Sequence, residues 1–108
     1  MTNIVIVLTT APDGDLADVI ARTLVDERLA ACVNIGAPMA SVYRWEGAVH
    51  RDVERQLLIK TTAERVEAVR ERVAQLHSYL LPELLVCPVV GGSPGYLDWV
   101  RLGSAAGD

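Results

Sequence analysis

The residues that could carry chemistry in this 108-residue chain are few: two histidines, one lysine, two cysteines and fourteen carboxylates. The densest run is His77-Ser78-Tyr79-Leu80-Leu81-Pro82-Glu83, an imidazole, a phenol and a carboxylate within seven residues. His77 and Glu83 can together hold a metal ion, since both are metal-ligating groups. Alternatively His77 closes a helix, where a cation suits the dipole, and Glu83 satisfies backbone groups at a strand start. Tyr79 can donate its hydroxyl into a cleft or anchor the linker. Lys60, the only lysine, sits between Ile59 and Thr61. It can grip an anionic ligand, meet a carboxylate such as Glu83, or form a structural ion pair. Trp99 is a candidate ligand-stacking residue, and Trp99 and Trp45 alike can serve packing or an interface.

Cys32 and Cys87 lie far apart, form no CxxC pair, and sit among alanine, valine and leucine. They read as buried small hydrophobes rather than ligands, and no lysine or histidine neighbours either to activate a thiolate. The run Gly91-Gly92-Ser93-Pro94-Gly95 lacks the lysine of a phosphate loop and reads as a connector. No nucleophile–base pair is visible, so the chain is expected not to be an enzyme.

These groups must be positioned by a regular scaffold. Ile4 to Leu8 is a short, β-branched apolar run, expected as a buried strand. Asp13-Gly14-Asp15 turns into a first helix over Asp15 to Ala30, its stripe made of Leu16, Val19, Ile20 and Leu24. Ala31 to Ile35 starts a second strand, bent at Gly36-Ala37-Pro38 and resuming through Ser41 to Trp45. Glu46-Gly47 turns it back into a strand over Ala48 to Thr61. His50, Asp52, Glu54 and Gln56 make the even positions of that strand polar, so the hairpin tip reads as an arm reaching beyond the domain. Thr61-Thr62-Ala63-Glu64 matches a capping box opening a second helix that ends near His77. Leu84 to Val90 is a further buried strand, and Tyr96 to Val100 a last short helix.

The order β-α-β-β-α-β is the ferredoxin-like, α+β pattern, with a long β2–β3 hairpin arm and a short C-terminal helix. A single domain is expected over residues 1–102, with 103–108 as a flexible tail. Two strands look apolar on both faces while the helices cover one, so a second subunit is expected on the other. The chain is 51% hydrophobic with a net charge of −4. That composition is too apolar for disorder and gives no basic footprint for nucleic acid or an anionic membrane. No apolar run reaches the ~20 residues of a membrane span, and the opening residues lack a signal-peptide pattern. A cytoplasmic protein is expected.

Six stretches in register resemble the CutA family of divalent-cation tolerance proteins. They are Thr10-Ala11-Pro12-Asp13, Leu29-Ala30-Ala31-Cys32-Val33-Asn34, Tyr43-Arg44-Trp45-Glu46-Gly47, Ile59-Lys60-Thr61-Thr62, His77 through Glu83, and Tyr96-Leu97-Asp98-Trp99. The resemblance implies a homotrimer built much like the PII signalling proteins, with hairpin arms extended onto neighbours. It implies a role in the response to metal ions, with copper or another divalent cation bound at intersubunit clefts. Of the family's three proposed ligand positions, the first is Thr9 here and the second Leu76. Glu83 remains, with His77 one residue beyond the second.

Three other functions are compatible with this order of elements. A PII-like trimer would bind a small anionic ligand, or signal to a protein partner. An acylphosphatase would share the topology, but the loop Thr9 to Gly14 lacks the arginine that holds phosphate. An RNA-recognition module would display sheet aromatics, and Gln56 to Lys60 offers none.

Overall fold

The structure, a computed structural model, describes residues 2–106. Five strands form one antiparallel sheet: β1 (Ile4–Pro12), β2 (Cys32–Ile35), β3 (Met39–Trp45), β4 (Ala48–Thr62) and β5 (Leu85–Pro88). Helices α1 (Leu16–Asp26), α2 (Val66–Leu76) and α3 (Pro94–Gly103) complete it. The strand order is β2-β4-β1-β5, with β3 pairing the far half of β4. This is the ferredoxin-like arrangement with its hairpin prolonged.

Side-chain alternation along β1 and β4 assigns the two faces of the sheet. Val7 lies opposite Ile59 and Thr9 opposite Leu57. All four are fully buried, as are Ile20 and Leu24 of α1 and Val69 and Val73 of α2. Each large aliphatic side chain so buried stabilises the fold by ~1.5–3 kcal/mol. The opposite face carries Ile6, Leu8, Leu58 and Lys60, and it is only partly covered. That cover comes from α3, which packs across β4 and β1. Ile4 and its partner Thr62 are buried at that end.

Several sequence expectations are corrected here. Helix α1 ends at Asp26 rather than Ala30, because Arg28 turns left-handed at φ 60°. The amides of Leu29 and Ala30 then fold back onto Leu24 O at 2.9 and 3.2 Å. No capping box forms at α2. Thr61 is fully buried and donates its hydroxyl to Leu29 O at 2.7 Å, so the strand continues to Thr62. Glu64 instead accepts from the Asn3 amide, and a single 3₁₀ turn, Ala63–Arg65, leads into the helix.

Strand β5 is shorter than expected and all four of its residues are exposed in the single chain. It lies at the sheet edge, and α1 and α2 do not reach over it. The thiols are not buried either: Cys32 is half-buried and Cys87 exposed. Both lie in one cross-strand row, Cys32–Lys60–Ile6–Cys87, on the face that α1 and α2 leave open. Three strand spacings separate them by ~14 Å, too far for a disulfide.

The C-terminal helix runs further than expected. It includes Gly103, and Ser104 behind it is buried. A Cβ on Gly103 would stand 2.8 Å from the Ala31 Cβ, so glycine is what lets α3 dock there. Of the expected flexible tail, residues 103 and 104 are thus packed, and 107–108 lie outside the described residues.

The arm follows the sequence reading. Glu46 and Gly47 both have positive φ, 49° and 80°, the two-residue type I′ geometry whose twist suits a hairpin. Gly36 N donates to Gln56 O at 2.8 Å, while residues 36–38 separate β2 from β3 along the same edge of β4.

Candidate functional site

Register places Met39 opposite Glu54, Ser41 opposite Asp52 and Tyr43 opposite His50. These residues, with Gln56 and Thr10, belong to one continuous face of the sheet that runs from the arm into the body. The linker after α2 folds over this face, and between linker and arm lies an open cleft of about 840 Å³. Its acidic wall is Glu54 and Glu83, and its aromatic wall is Tyr43, Trp45 and Tyr79.

The linker is held in place by His77. Its Nδ1 accepts from the Tyr79 backbone N–H at 3.0 Å, so the ring proton sits on Nε2 and is donated to Thr10 O at 2.6 Å. Both nitrogens are therefore engaged in fixing the linker to β1. The Tyr79 hydroxyl in turn donates to Glu54 Oε2 at 2.7 Å.

Glu54 is 9% exposed, and the Tyr79 phenol is its one hydrogen-bond partner among the described residues. Among the described residues no lysine or arginine pairs with Glu54 or Glu83; the ion pairs lie elsewhere, at Arg55–Asp13, Arg70–Glu67, Arg72–Glu27 and Arg101–Asp98. Burial, and then the charge of Glu54, push the Glu83 carboxyl above its usual range. Two carboxylates in one recess are relieved either by a proton held on one of them or by a cation between them.

The predicted residues separate into three places. Tyr79 and Glu83 share the cleft. His77 lies behind it, its ring tilted against Tyr79 at a centroid distance of 4.6 Å. Lys60 and Trp99 are elsewhere, Lys60 on β4 beneath α3 and Trp99 on α3 itself. The Lys60 ammonium donates to the Tyr96 hydroxyl at 3.4 Å and sits 5.7 Å from that ring's centroid, while Tyr96 stacks on Trp99 at 5.5 Å. Lys60 is six residues along β4 from Glu54, ~20 Å at strand rise, so within one chain it meets a phenol and not Glu83. Thr9 is buried on the helix-facing side and does not line the cleft.

Glu54, Tyr43 and Tyr96 were missed as site residues. Glu54 carried a signal, the polar even positions of β4, but nothing local showed that the linker would cover them. Tyr96 had none beyond its place beside Trp99.

Together the fold and cleft define a ferredoxin-like α+β domain with an arm and an acidic, aromatic-lined recess. The model of the CutA1 divalent ion tolerance protein family matches residues 5–102, and the chain belongs to that family. It is 48% identical over 96 residues to the divalent-cation tolerance protein CutA of Thermus thermophilus, covering 89% of this chain and 93% of the relative. It is 41% identical to the chloroplastic protein CutA of Arabidopsis thaliana, across 90% of this chain and 53% of that longer protein. The solved Thermus thermophilus Cut A1 structure superposes with a TM-score of 0.92 at 45% identity, covering 94% and 99% of the two chains. These family names carry no enzymatic activity. Among the described residues no helix is long and apolar enough to cross a membrane.

Proposed function

We propose that this chain acts in divalent-cation tolerance as a cytoplasmic homotrimer whose clefts take up a divalent cation at Glu54 and Glu83. The observation that carries this is the 9%-exposed Glu54, which shares the cleft's acidic wall with Glu83 and has no cationic partner among the described residues. The trimer is supported by apolar surface that one chain leaves bare, above all Leu58 of β4 and Leu85 of β5, with the exposed arm available to reach a neighbour.

The donors favour a hard cation over copper. Copper wants imidazole or thiolate. Both nitrogens of His77 are already bonded, and the two cysteines do not line the cleft. No group of three or more His, Cys, Asp or Glu side chains gathers among the described residues, so one chain offers any ion two carboxylates at most. Carboxylate and phenol oxygens suit Mg²⁺, Ca²⁺ or Mn²⁺, with water completing the shell. The PII-like alternative, a small anionic ligand, fits an acidic recess poorly.

Native mass spectrometry of protein purified without chelator tests both parts. A three-chain mass that gains Mn²⁺, lost in Glu83→Gln, is expected. A monomer would overturn the assembly, and uptake indifferent to Glu83→Gln would overturn the site.

A further inference from the structure

At the end of β4 farthest from the arm lies a second recess, of about 380 Å³, between Asn3, the 3₁₀ turn Ala63–Arg65 and the residues that close α3. Neither the arm nor the row Ile6, Leu8, Leu58 and Lys60 lines it, and this chain's own α3 packs over that end of the sheet. Its charged lining is two arginines, Arg65 and Arg101, against one carboxylate, Glu64. Arg65 donates from Nε to Ser104 O at 2.9 Å and from Nη2 to Arg28 O at 3.0 Å. The guanidinium is thus fixed, with Nη1 left over. Arg101 donates from Nε to Asn3 Oδ1 at 2.9 Å and from Nη1 to Asp98 at 2.7 Å, leaving Nη2. Glu64 already accepts from the Asn3 amide at 3.2 Å. Thr62 also lines the recess; it is 5% exposed and its side chain does not cap the turn that follows. Thr9 is the one unpartnered hydroxyl sealed from solvent among the described residues, so the unpartnered hydroxyl of Thr62 opens onto the recess.

We infer that this recess binds a phosphate group, held by the free N–H groups of Arg65 and Arg101 and by the Thr62 hydroxyl. The three donors come from three elements: the end of β4, the turn before α2, and α3. Guanidinium groups suit phosphate because their N–H groups match its oxygens in geometry and charge. A phosphate has an oxygen for each of the three donors, whereas a carboxylate has two and leaves one unmet. The helix start beside the recess carries no side-chain cap, and the positive end of its dipole adds to the attraction. Thr62 stands eight residues along β4 from Glu54, ~26 Å at strand rise, so the site is separate from the acidic cleft.

The test titrates inorganic phosphate into the full chain at fixed ionic strength, with chloride as control, and reads the backbone amide NMR shifts of Glu64 and Arg65. A saturable shift with a Kd below about 10 mM is expected with phosphate and not with chloride. Arg101→Gln should weaken binding about tenfold or more, the range for hydrogen bonds to charged groups. Thr62→Val keeps the shape and removes only the hydroxyl, and should weaken it about threefold or more. That second variant keeps the test decisive if loss of the Arg101 contacts disturbs α3. Equal shifts with chloride, or phosphate binding indifferent to both substitutions, would overturn the inference. Tighter binding of glycerol 3-phosphate than of phosphate would support it with an esterified phosphate as the ligand, and the reverse order would support it with the free ion.

Discussion

The Tyr79 hydroxyl donates a 2.7 Å hydrogen bond to Glu54 Oε2, joining the linker after α2 to a strand 25 residues earlier in the chain. Burial first, and the Glu54 carboxylate second, hold the phenol protonated well above its ordinary range. Tyr79 is thus a fixed donor, and it orients Glu54 so that the other carboxylate oxygen is left for the cleft.

Removing that donor should cost stability as well as order. Tyr79→Phe is expected to lose ~1.5–3 kcal/mol, the range for hydrogen bonds to charged groups, read from urea unfolding. Combined with Glu54→Gln, the two losses should be clearly less than additive, because they break one shared contact. Additive losses would show that the pair is not coupled.

Glu83 sets a pH dependence whose sign follows from its raised pKa. A carboxyl that holds its proton more tightly in the folded state gives stability that is fully present below its unfolded pKa of 4.5 and is lost as pH rises through the folded value. Glu83→Gln, which mimics the protonated acid, should therefore match the parent at acid pH and exceed it near neutrality in thermal melts. Saturating Mn²⁺ should close that gap in the parent alone. A gap that widens toward acid would contradict the sign.

Thr9 carries a fully buried hydroxyl with no hydrogen-bond partner among the described residues. Leaving such a group unpaired costs ~1–3 kcal/mol. Thr9→Val keeps the shape and removes the orphan, so the melting temperature should rise, by an amount corresponding to about 1 kcal/mol. A fall would mean that a buried water satisfies this oxygen.

Gly103→Ala should do the reverse. The added methyl would meet Ala31 at 2.8 Å, and overpacking of this kind costs ~1–3 kcal/mol. Ala31→Gly in the same chain should recover part of that loss in chemical denaturation, whereas a helix-propensity effect alone would make Gly103→Ala stabilising.

Much of the scaffold was legible along the chain because its signals are local. Alternating and periodic apolar residues announced β1, α1, α2 and the hairpin, and Glu46-Gly47 announced its turn. Legibility failed where a distant group overrode a local preference. Thr61 looked like a helix cap, yet Leu29 O claimed its hydroxyl. Cys87 looked buried by its apolar neighbours, yet those neighbours form an edge strand that the helices do not cover.

The sequence by itself determined the order of elements, the family and the presence of Tyr79 and Glu83 in one linker, since composition, periodicity and motif spacing need no knowledge of the third dimension. The tertiary structure alone decided who meets whom. Register put Glu54 on the same face as Gln56 and Thr10, and His77 bound to Thr10 O drew the linker across that face. The path of α3 gave Lys60 to Tyr96 instead of to a carboxylate. Such pairings depend on strand register and the routes of loops between elements, which hydrogen bonds and packing between sequence-distant residues set together and which no local pattern encodes.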